Sequence, residues 1–560
     1  MSKDSNSITR HFVTIENKRQ IHYRRAGSGP PVLLLHQSPK SSKELIPVME
    51  GLKDIFTCIA PDTPGNGNSD PIGLNNPSMI DYGKNINLFL NALGIDKVCL
   101  YGFHTGASVG GSFASQFPER VNVAILNGFV ALNNEERDDI MKNYLTPFKP
   151  SWDGGHLLWS WARLREQHIF FPWYRISDHT RTMSDLPNPI QIHDNLMEFF
   201  RAGDEYRKPY GAAFMFKGDD IAKQFKSPTI ICASDWDPTV RFLSRLPENL
   251  PSNVKIEKLG DKKGKEVTSW LKEIIKNYAT GDTPSIPSVK IIKNGIWQDF
   301  INVDGLQLHL RRSGESGSTR IIQHDLGDDN NFLKLMYNST ENNSQCIAFD
   351  LPGHGESDSI VGEYKNLDSI IELISNAINK LGIDEFDLIG IEKSSAIALG
   401  ILNNLSDSAK SLVLINPPSE YQVKQDELDK NSSFYFPPQK YGEHLITCWN
   451  FIRDQALFYP WYENRKENLI LNQNSLGVEY LHQRLFALLK AGESWHDTNL
   501  LVNKYDKSKP LSILQSRITF AGNKVHPGYN SCKELNKSFP SSRLAELPNE
   551  RNNWLSSIFT

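Results

Sequence analysis

Apolar positions in this chain gather in short unbroken runs separated by amphipathic stretches. "PVLLLH" (31–36), "TCIAPD" (57–62), "KVCLYG" (97–102) and "VNVAILNG" (121–128) are four such runs. Side chains that are apolar at successive positions predict strands buried on both faces, as in a parallel sheet, with helices between them. The block 130–225 breaks the alternation. It is long, aromatic and helical in pattern, and it precedes another strand-like run, "SPTIICASD" (227–235). It predicts a helical cap over the strand ends, where open α/β sheets bind ligands.

The pattern then returns. "RIIQH" (320–324), "QCIAFD" (345–350), "EFDLIG" (385–390) and "KSLVLINP" (410–417) repeat the four runs. "CIAPDTPGNGNSD" (58–70) falls on "CIAFDLPGHGESD" (346–358) at an offset of 288 positions. "GGHLLWSWARLREQHIFFPWY" (154–174) falls on "GEHLITCWNFIRDQALFYPWY" (442–462) at the same offset. An internal repeat of this length predicts two homologous domains. We place them at 1–280, with a cap at about 130–225, and at 296–560, with a cap at about 418–508. Residues 281–295, rich in Pro, Gly, Ser and Thr, form the expected linker. The two halves are expected to pack on each other, and the oligomeric state is left open.

Composition narrows the function classes. Apolar content of 39% and charged content of 22% fit a soluble globular protein. A net charge of −4 gives no reason to invoke nucleic acid or an anionic membrane. No apolar run reaches the length of about 18 residues that a membrane span needs. The start, "MSKDSNSITR", has no apolar core of a signal peptide. Six scattered cysteines without a CxxC spacing read as reduced, buried thiols of a cytoplasmic protein. "PGNGNSD" and "PGHGESD" lack the Lys-Ser/Thr of a phosphate loop and read as turns after a strand. No dinucleotide fingerprint or short metal-ligand spacing occurs, so no cofactor and no metal are expected.

The order of motifs in the first half resembles the α/β-hydrolase superfamily. The residues that carry the likeness are "HQSP" (36–39), "DTPGNGNSD" (62–70), "GFHTG" (102–106) and "SDWDP" (234–238). The resemblance implies two tandem α/β-hydrolase-like domains, each a mostly parallel sheet flanked by helices with a helical cap. It also implies a nucleophile elbow at "GFHTG", an acid after the late strand and a histidine near the domain's end. By position the elbow residue is His104 and the acid is Asp237. The resemblance implies an oxyanion hole built from the N–H of Thr105 and a second N–H, from Gln37 or its neighbour, beside His36. The elbow serine and the distal histidine are both missing, which excludes a Ser-His-Asp mechanism. In the second half the elbow "GIEKS" carries Glu392, and His526 falls opposite Asp237.

An imidazole reaches further from the backbone than a hydroxyl. His104 on an elbow tip is therefore expected to meet Asp237 directly and to act as a general base toward water. Glu392 and His526 form the reversed pair, as a working dyad or an ion pair, in a half that reads as degenerate. Along the cap, His156, Trp161, Arg165 and His193 are candidate substrate-binding residues, with Arg165 suited to gripping an anionic group. Three readings stay open: a cofactor-free hydrolase of small ester-, amide- or diketone-like substrates, a lyase on the same site, and a non-catalytic binding or scaffold pseudo-hydrolase. All three share one expected outcome. A serine-directed fluorophosphonate probe should label neither elbow, as read by mass spectrometry of the treated protein.

Overall fold

The computed structural model describes residues 7–182, 184–337, 344–359, 366–418, 435–471 and 476–559. The chain divides into two compact units. One comprises residues 3–149 and 155–290; the other comprises 291–560 and the short segment 150–154.

The first unit is built on eight strands: β1 (Thr9–Ile15), β2 (Arg19–Ala26), β3 (Pro31–Leu35), β4 (Thr57–Pro61), β5 (Val98–Phe103), β6 (Val121–Asn127), β7 (Thr229–Ala233) and β8 (Val254–Lys258). They pair in the order β1-β2-β4-β3-β5-β6-β7-β8. β1, β2 and β4 pair antiparallel, and every pairing from β4 to β8 is parallel. Each residue of β3, β4 and β7 is buried, which is why these strands read as unbroken apolar runs. Val32, Leu34, Cys58, Cys99, Ile125 and Cys232 form one face of the core. All six cysteines of the chain are buried and unbridged.

The second unit repeats this sheet. Its strands are β9 (Ile296–Val303), β10 (Leu306–Ser313), β11 (Ser318–Gln323), β12 (Ser344–Phe349), β13 (Phe386–Ile391), β14 (Ala409–Ile415), β15 (Ile518–Gly522) and β16 (Arg543–Glu546). Their order, β9-β10-β12-β11-β13-β14-β15-β16, is that of the first unit, strand for strand. Helices fill the long insertions: Asn134–Asn143, Gly155–Ile169, Pro189–Ala202 and Arg207–Met215 between β6 and β7, and Glu443–Leu457 and Val478–Lys504 between β14 and β15. The cap expected over 418–508 includes 419–434 and 472–475, which lie outside the described residues. Among the described residues no helix is long and apolar enough to cross a membrane.

One buried carboxylate organises the C-terminal edge of each parallel sheet. Asp62, just past β4, accepts hydrogen bonds from Ser42 N–H (2.8 Å), Asn68 N–H (2.8 Å) and the His22 ring Nδ1 (2.8 Å). In the second unit Asp350 takes the same bonds from Asn330 N–H (2.6 Å), Glu356 N–H (2.8 Å) and His309 Nδ1 (2.7 Å). The turn glycines Gly67 and Gly355 close onto these carboxylates; a Cβ on either would lie 2.0 or 2.1 Å from a carboxylate oxygen. "PGNGNSD" and "PGHGESD" are therefore turns wrapped around an aspartate.

The segment read as a linker is partly anchored. Thr14 Oγ1 donates to Lys290 O (2.8 Å), Gly29 N–H to Thr283 Oγ1 (2.6 Å), and Asn122 Nδ2 to Thr280 Oγ1 (3.0 Å). Residues 280–290 thus lie along the first unit. The Asp62 node leads to a stability expectation. Asp62→Ala strands two buried N–H donors and a buried imidazole, and should cost about 3–5 kcal/mol in the unfolding transition of the first unit, read by urea denaturation.

Candidate active site

Parallel register brings the ends of β3, β5, β6 and β7 to one edge. Leu35 pairs with Gly102, Phe103 with Asn127, and Asn127 with Cys232. β5 ends at Phe103 and the helix Thr105–Gln116 begins two residues on. His104 alone makes the turn, at φ 48° and ψ −109°. A positive φ costs a side-chain-bearing residue about 1–2 kcal/mol, so packing must impose it. His104 N–H is fixed on Asn127 O (2.9 Å). Gly106 lets the helix press onto β3, because a Cβ there would stand 2.2 Å from Leu35 O. Gly128 leaves room for the imidazole, because its Cβ would stand 2.2 Å from His104 Cδ2.

His104 Nε2 lies 2.7 Å from Asp237 Oδ2. The other carboxylate oxygen of Asp237 accepts from Thr239 N–H (2.9 Å) and Thr239 Oγ1 (2.6 Å). Burial alone would raise the Asp237 pKa, but the His104 charge and hydrogen bond, with the Thr239 bonds, hold it at about 2. An ionised Asp237 fixes the proton of His104 on Nε2 and leaves the lone pair on Nδ1. Burial alone would lower the His104 pKa; the Asp237 charge and hydrogen bond, and then Glu44, bring it above 6.5. The His104 side chain keeps 27% of its exposure, so the ring is not sealed in.

The N–H of Thr105 opens the helix and has no intrahelical acceptor. Gln37 differs from the expectation. Its N–H donates to Glu44 Oε2 (3.1 Å) and its side-chain amide to Glu44 Oε1 (2.5 Å). A short 3₁₀ turn, Ser42–Leu45, capped by Ser41, carries Glu44 back over Gln37. Lys40 Nζ completes the group, 3.1 Å from Glu44 Oε1. His36 is fully buried with both ring nitrogens engaged, Nδ1 on Gln37 O (2.7 Å) and Nε2 accepting from Thr63 N–H (2.8 Å). It holds the loop and has no nitrogen left for a substrate.

The second elbow keeps the strain and changes the chemistry. Glu392 also sits at φ 48°. Ser394 stands where the first half has Gly106, and its hydroxyl donates to Gln323 O (3.1 Å) and Ile391 O (2.8 Å). A 3₁₀ turn, Glu392–Ser394, precedes the helix Ser395–Asn404. Glu392 Oε1 and His526 Nε2 are 3.9 Å apart, beyond hydrogen-bond distance. Both groups lean toward their neutral forms. Burial raises Glu392 against the pull of Arg484 and Arg551, and burial with the charges of Arg551 and Arg484 lowers His526 to about 4. The N–H after the elbow, that of Lys393, donates to Asp325 Oδ1 (3.1 Å). Asp325 is the counterpart of Gln37, so in this half a side chain of that loop takes up the N–H that follows the elbow.

A family profile for the alpha/beta hydrolase fold matches residues 30–148 and 326–476, one segment in each half. The chain belongs to the α/β-hydrolase superfamily. An uncharacterised hydrolase of Saccharomyces cerevisiae is 33% identical over 155 residues, 26% of this chain and 51% of that protein. A soluble epoxide hydrolase of a Corynebacterium species is 38% identical over 112 residues, 20% of this chain and 38% of that protein. The chain thus spans about half the length, or less, of these curated relatives. A solved epoxide hydrolase from an endophytic Streptomyces aligns with a TM-score of 0.40 at 15% identity, covering 49% of this chain and 96% of the other.

In this α/β-hydrolase chain the cap residues separate into several groups. His156 (6% exposed) and Trp161 (3% exposed) are buried in the helix Gly155–Ile169, with the His156 ring 6.0 Å from that of Phe148. Arg165 meets its neighbour Glu166 (2.6 Å), with a third of its side chain exposed. Arg163 is fully buried in the cap, its guanidinium 5.2–5.9 Å from the ring centroids of Tyr144, Trp173, Phe199 and Tyr206. Burial lowers His193 to about 4, although Asp194 beside it pulls the other way. His168 was not among the sequence candidates. Burial and the Lys40 charge lower it to about 4, which puts a neutral imidazole on the cap side of the Lys40–Glu44 group. Its signal lies in the repeat: the second half carries Ala456 at that position.

The His104–Asp237 geometry sets a sign that can be measured. In Asp237→Asn the largest raising influence disappears, while burial remains and only the weaker pull of Glu44 opposes it. The His104 pKa should then fall, read by NMR titration of the ring protons.

Proposed function

We propose that the first half, residues 1–280, is a cofactor-free hydrolase that acts on a small substrate with an ester-, amide- or diketone-like carbonyl. His104 Nδ1 removes a proton from water, and the water oxygen bonds to the carbonyl carbon. The developing oxyanion is met by the Thr105 N–H. Asp237 stabilises the imidazolium, which returns its proton to the leaving group as the carbon–leaving-group bond breaks. The observation that carries this reading is the 2.7 Å contact between His104 Nε2 and an ionised Asp237 at a strained elbow. It gives the ring one defined tautomer, with its basic nitrogen free. The hydrolase relatives support the reaction class.

One observation favours a second reading. Glu44 occupies the Gln37 N–H, one of the two positions expected to supply the second oxyanion donor beside Thr105. A lyase, in which His104 removes a proton from the substrate and no water is added, needs less oxyanion stabilisation. Incorporation of ¹⁸O from labelled water into the product separates the two. The second half, residues 296–560, is read as inactive toward acyl transfer because Asp325 covers the Lys393 N–H. The buried, unbridged thiols support a reducing, cytoplasmic setting.

A screen of small esters, lactones and β-diketones tests this. His104→Ala should lower kcat by about 10²–10⁴-fold. Turnover unchanged in that variant would remove His104 from the mechanism. Because the base must be neutral, kcat/KM should rise with pH through a value above 6.5 and then level off.

A further inference from the structure

The second half holds a cavity of about 270 Å³ directly over its elbow. Glu392, Asp325 and Lys393 line one side. The opposite wall is aromatic. The ring of Phe451 lies 4.8 Å from that of Trp461 and 5.9 Å from that of Trp495, both edge-on. At about 30 Å³ per water-sized atom, the space suits a ligand of on the order of ten non-hydrogen atoms. Arg484 lines this cavity and also a second one of about 650 Å³ that shares Asp325, Glu392 and His526 with it.

Arg484 is the unresolved group. Among the described residues its guanidinium meets no hydrogen-bond acceptor, and no carboxylate lies within 4 Å of it. Its Nε is buried without a partner. The other guanidinium nearby, Arg551, lies over the Tyr480 ring at 4.6 Å. A planar cation with five donors pairs in a bidentate fork with the two oxygens of a carboxylate.

The acidic neighbours decide the sign of the ligand. Arg484 feels Tyr480, Asp328, Glu392 and Asp325, in that order. Asp325 faces Glu392, Arg484 and Lys393. Glu392 faces Arg484, Arg551, Asp328 and Lys393, with His526 at 3.9 Å and Tyr459 in range. The carboxyl groups can relieve crowding by taking up protons, whereas a guanidinium cannot lose one. Burial and the Glu392 charge already bring Asp325 to about 7. Arg484 keeps its charge whatever the acids do, with Lys393 the other cation lining the cavity, and an acid that takes up a proton adds a donor.

We propose that this cavity is a binding site for a small monocarboxylate with an apolar, ring-sized body, its carboxylate held by Arg484 and its body against Phe451, Trp461 and Trp495. The assignment is independent of the chemistry proposed for His104. Binding an anion beside these acids raises their proton affinity, so each binding event should draw protons from the buffer and tighten as pH falls through about 7.

Calorimetric titration of the intact chain with 3-phenylpropionate, 3-phenylpropionamide and 3-phenylpropylamine tests the proposal. The acid should bind once per chain, and the amide and amine at least about tenfold more weakly. Arg484→Gln should weaken the acid at least about tenfold, and Arg484→Lys should retain part of the affinity, which separates loss of charge from loss of fold. Titrations in two buffers of different ionisation enthalpy should report proton uptake. Any of four results overturns the assignment: no response to the acid at about millimolar concentration, equal binding of the amine, acid binding unchanged by Arg484→Gln, or loss of the site in His104→Ala, which would put the ligand in the first half.

Discussion

The structure depends on a backbone turn that polypeptide chains avoid. His104 and Glu392 each sit at φ 48°, in a region that side chains penalise. The turn exists because a buried strand runs straight into a helix that lies hard against the neighbouring strand. In the first half that contact is bare backbone, with Gly106 on Leu35 O. In the second half a serine hydroxyl bonds the equivalent carbonyl, that of Gln323, and the helix starts through a 3₁₀ turn. The geometry survives either way, because the sheet and helix over-determine it. What the elbow residue then does is set by its side chain and by the groups that reach its edge of the sheet.

The two halves share a scaffold and diverge at their polar edges. The buried nodes at Asp62 and Asp350 tie the same histidine, the same loop and the same glycine turn together. His36 and His324 bridge their loops with the same pair of bonds. Beyond that frame the chemistry parts. The first half brings an ionised aspartate against a histidine and leaves the histidine partly open to solvent. The second half gathers carboxyl groups around an arginine whose buried Nε meets no hydrogen-bond acceptor among the described residues, under an aromatic wall.

Much of the frame was legible in the sequence. Strands buried on both faces appear as apolar runs, and the repeat at a fixed offset doubles each signal. The elbow was legible from its glycine spacing, and Asp237 from its place after a late strand. Residues 280–290 were less so. The composition of 281–295 suggests a linker, whereas hydrogen bonds from Thr14, Arg25 and Gly29 lay residues 283–290 along the first unit. Composition reports flexibility of the isolated chain and says nothing about which neighbouring edge offers partners.

The sequence by itself determined the fold, its duplication and the identity of the two elbow residues, because these follow from properties of consecutive residues and their spacing. Only the tertiary structure decided which groups are free to act. Glu44 covers the Gln37 N–H, and Asp325 covers a Lys393 N–H 68 positions away. Arg163 is buried while Arg165 meets Glu166 near the surface, although they stand two residues apart. Two residues are about 200° around a helix, so the phase of the cap helix decides between them. Such outcomes turn on distances of about 3 Å between remote parts of the chain, which a hydrogen bond requires and a linear pattern does not encode.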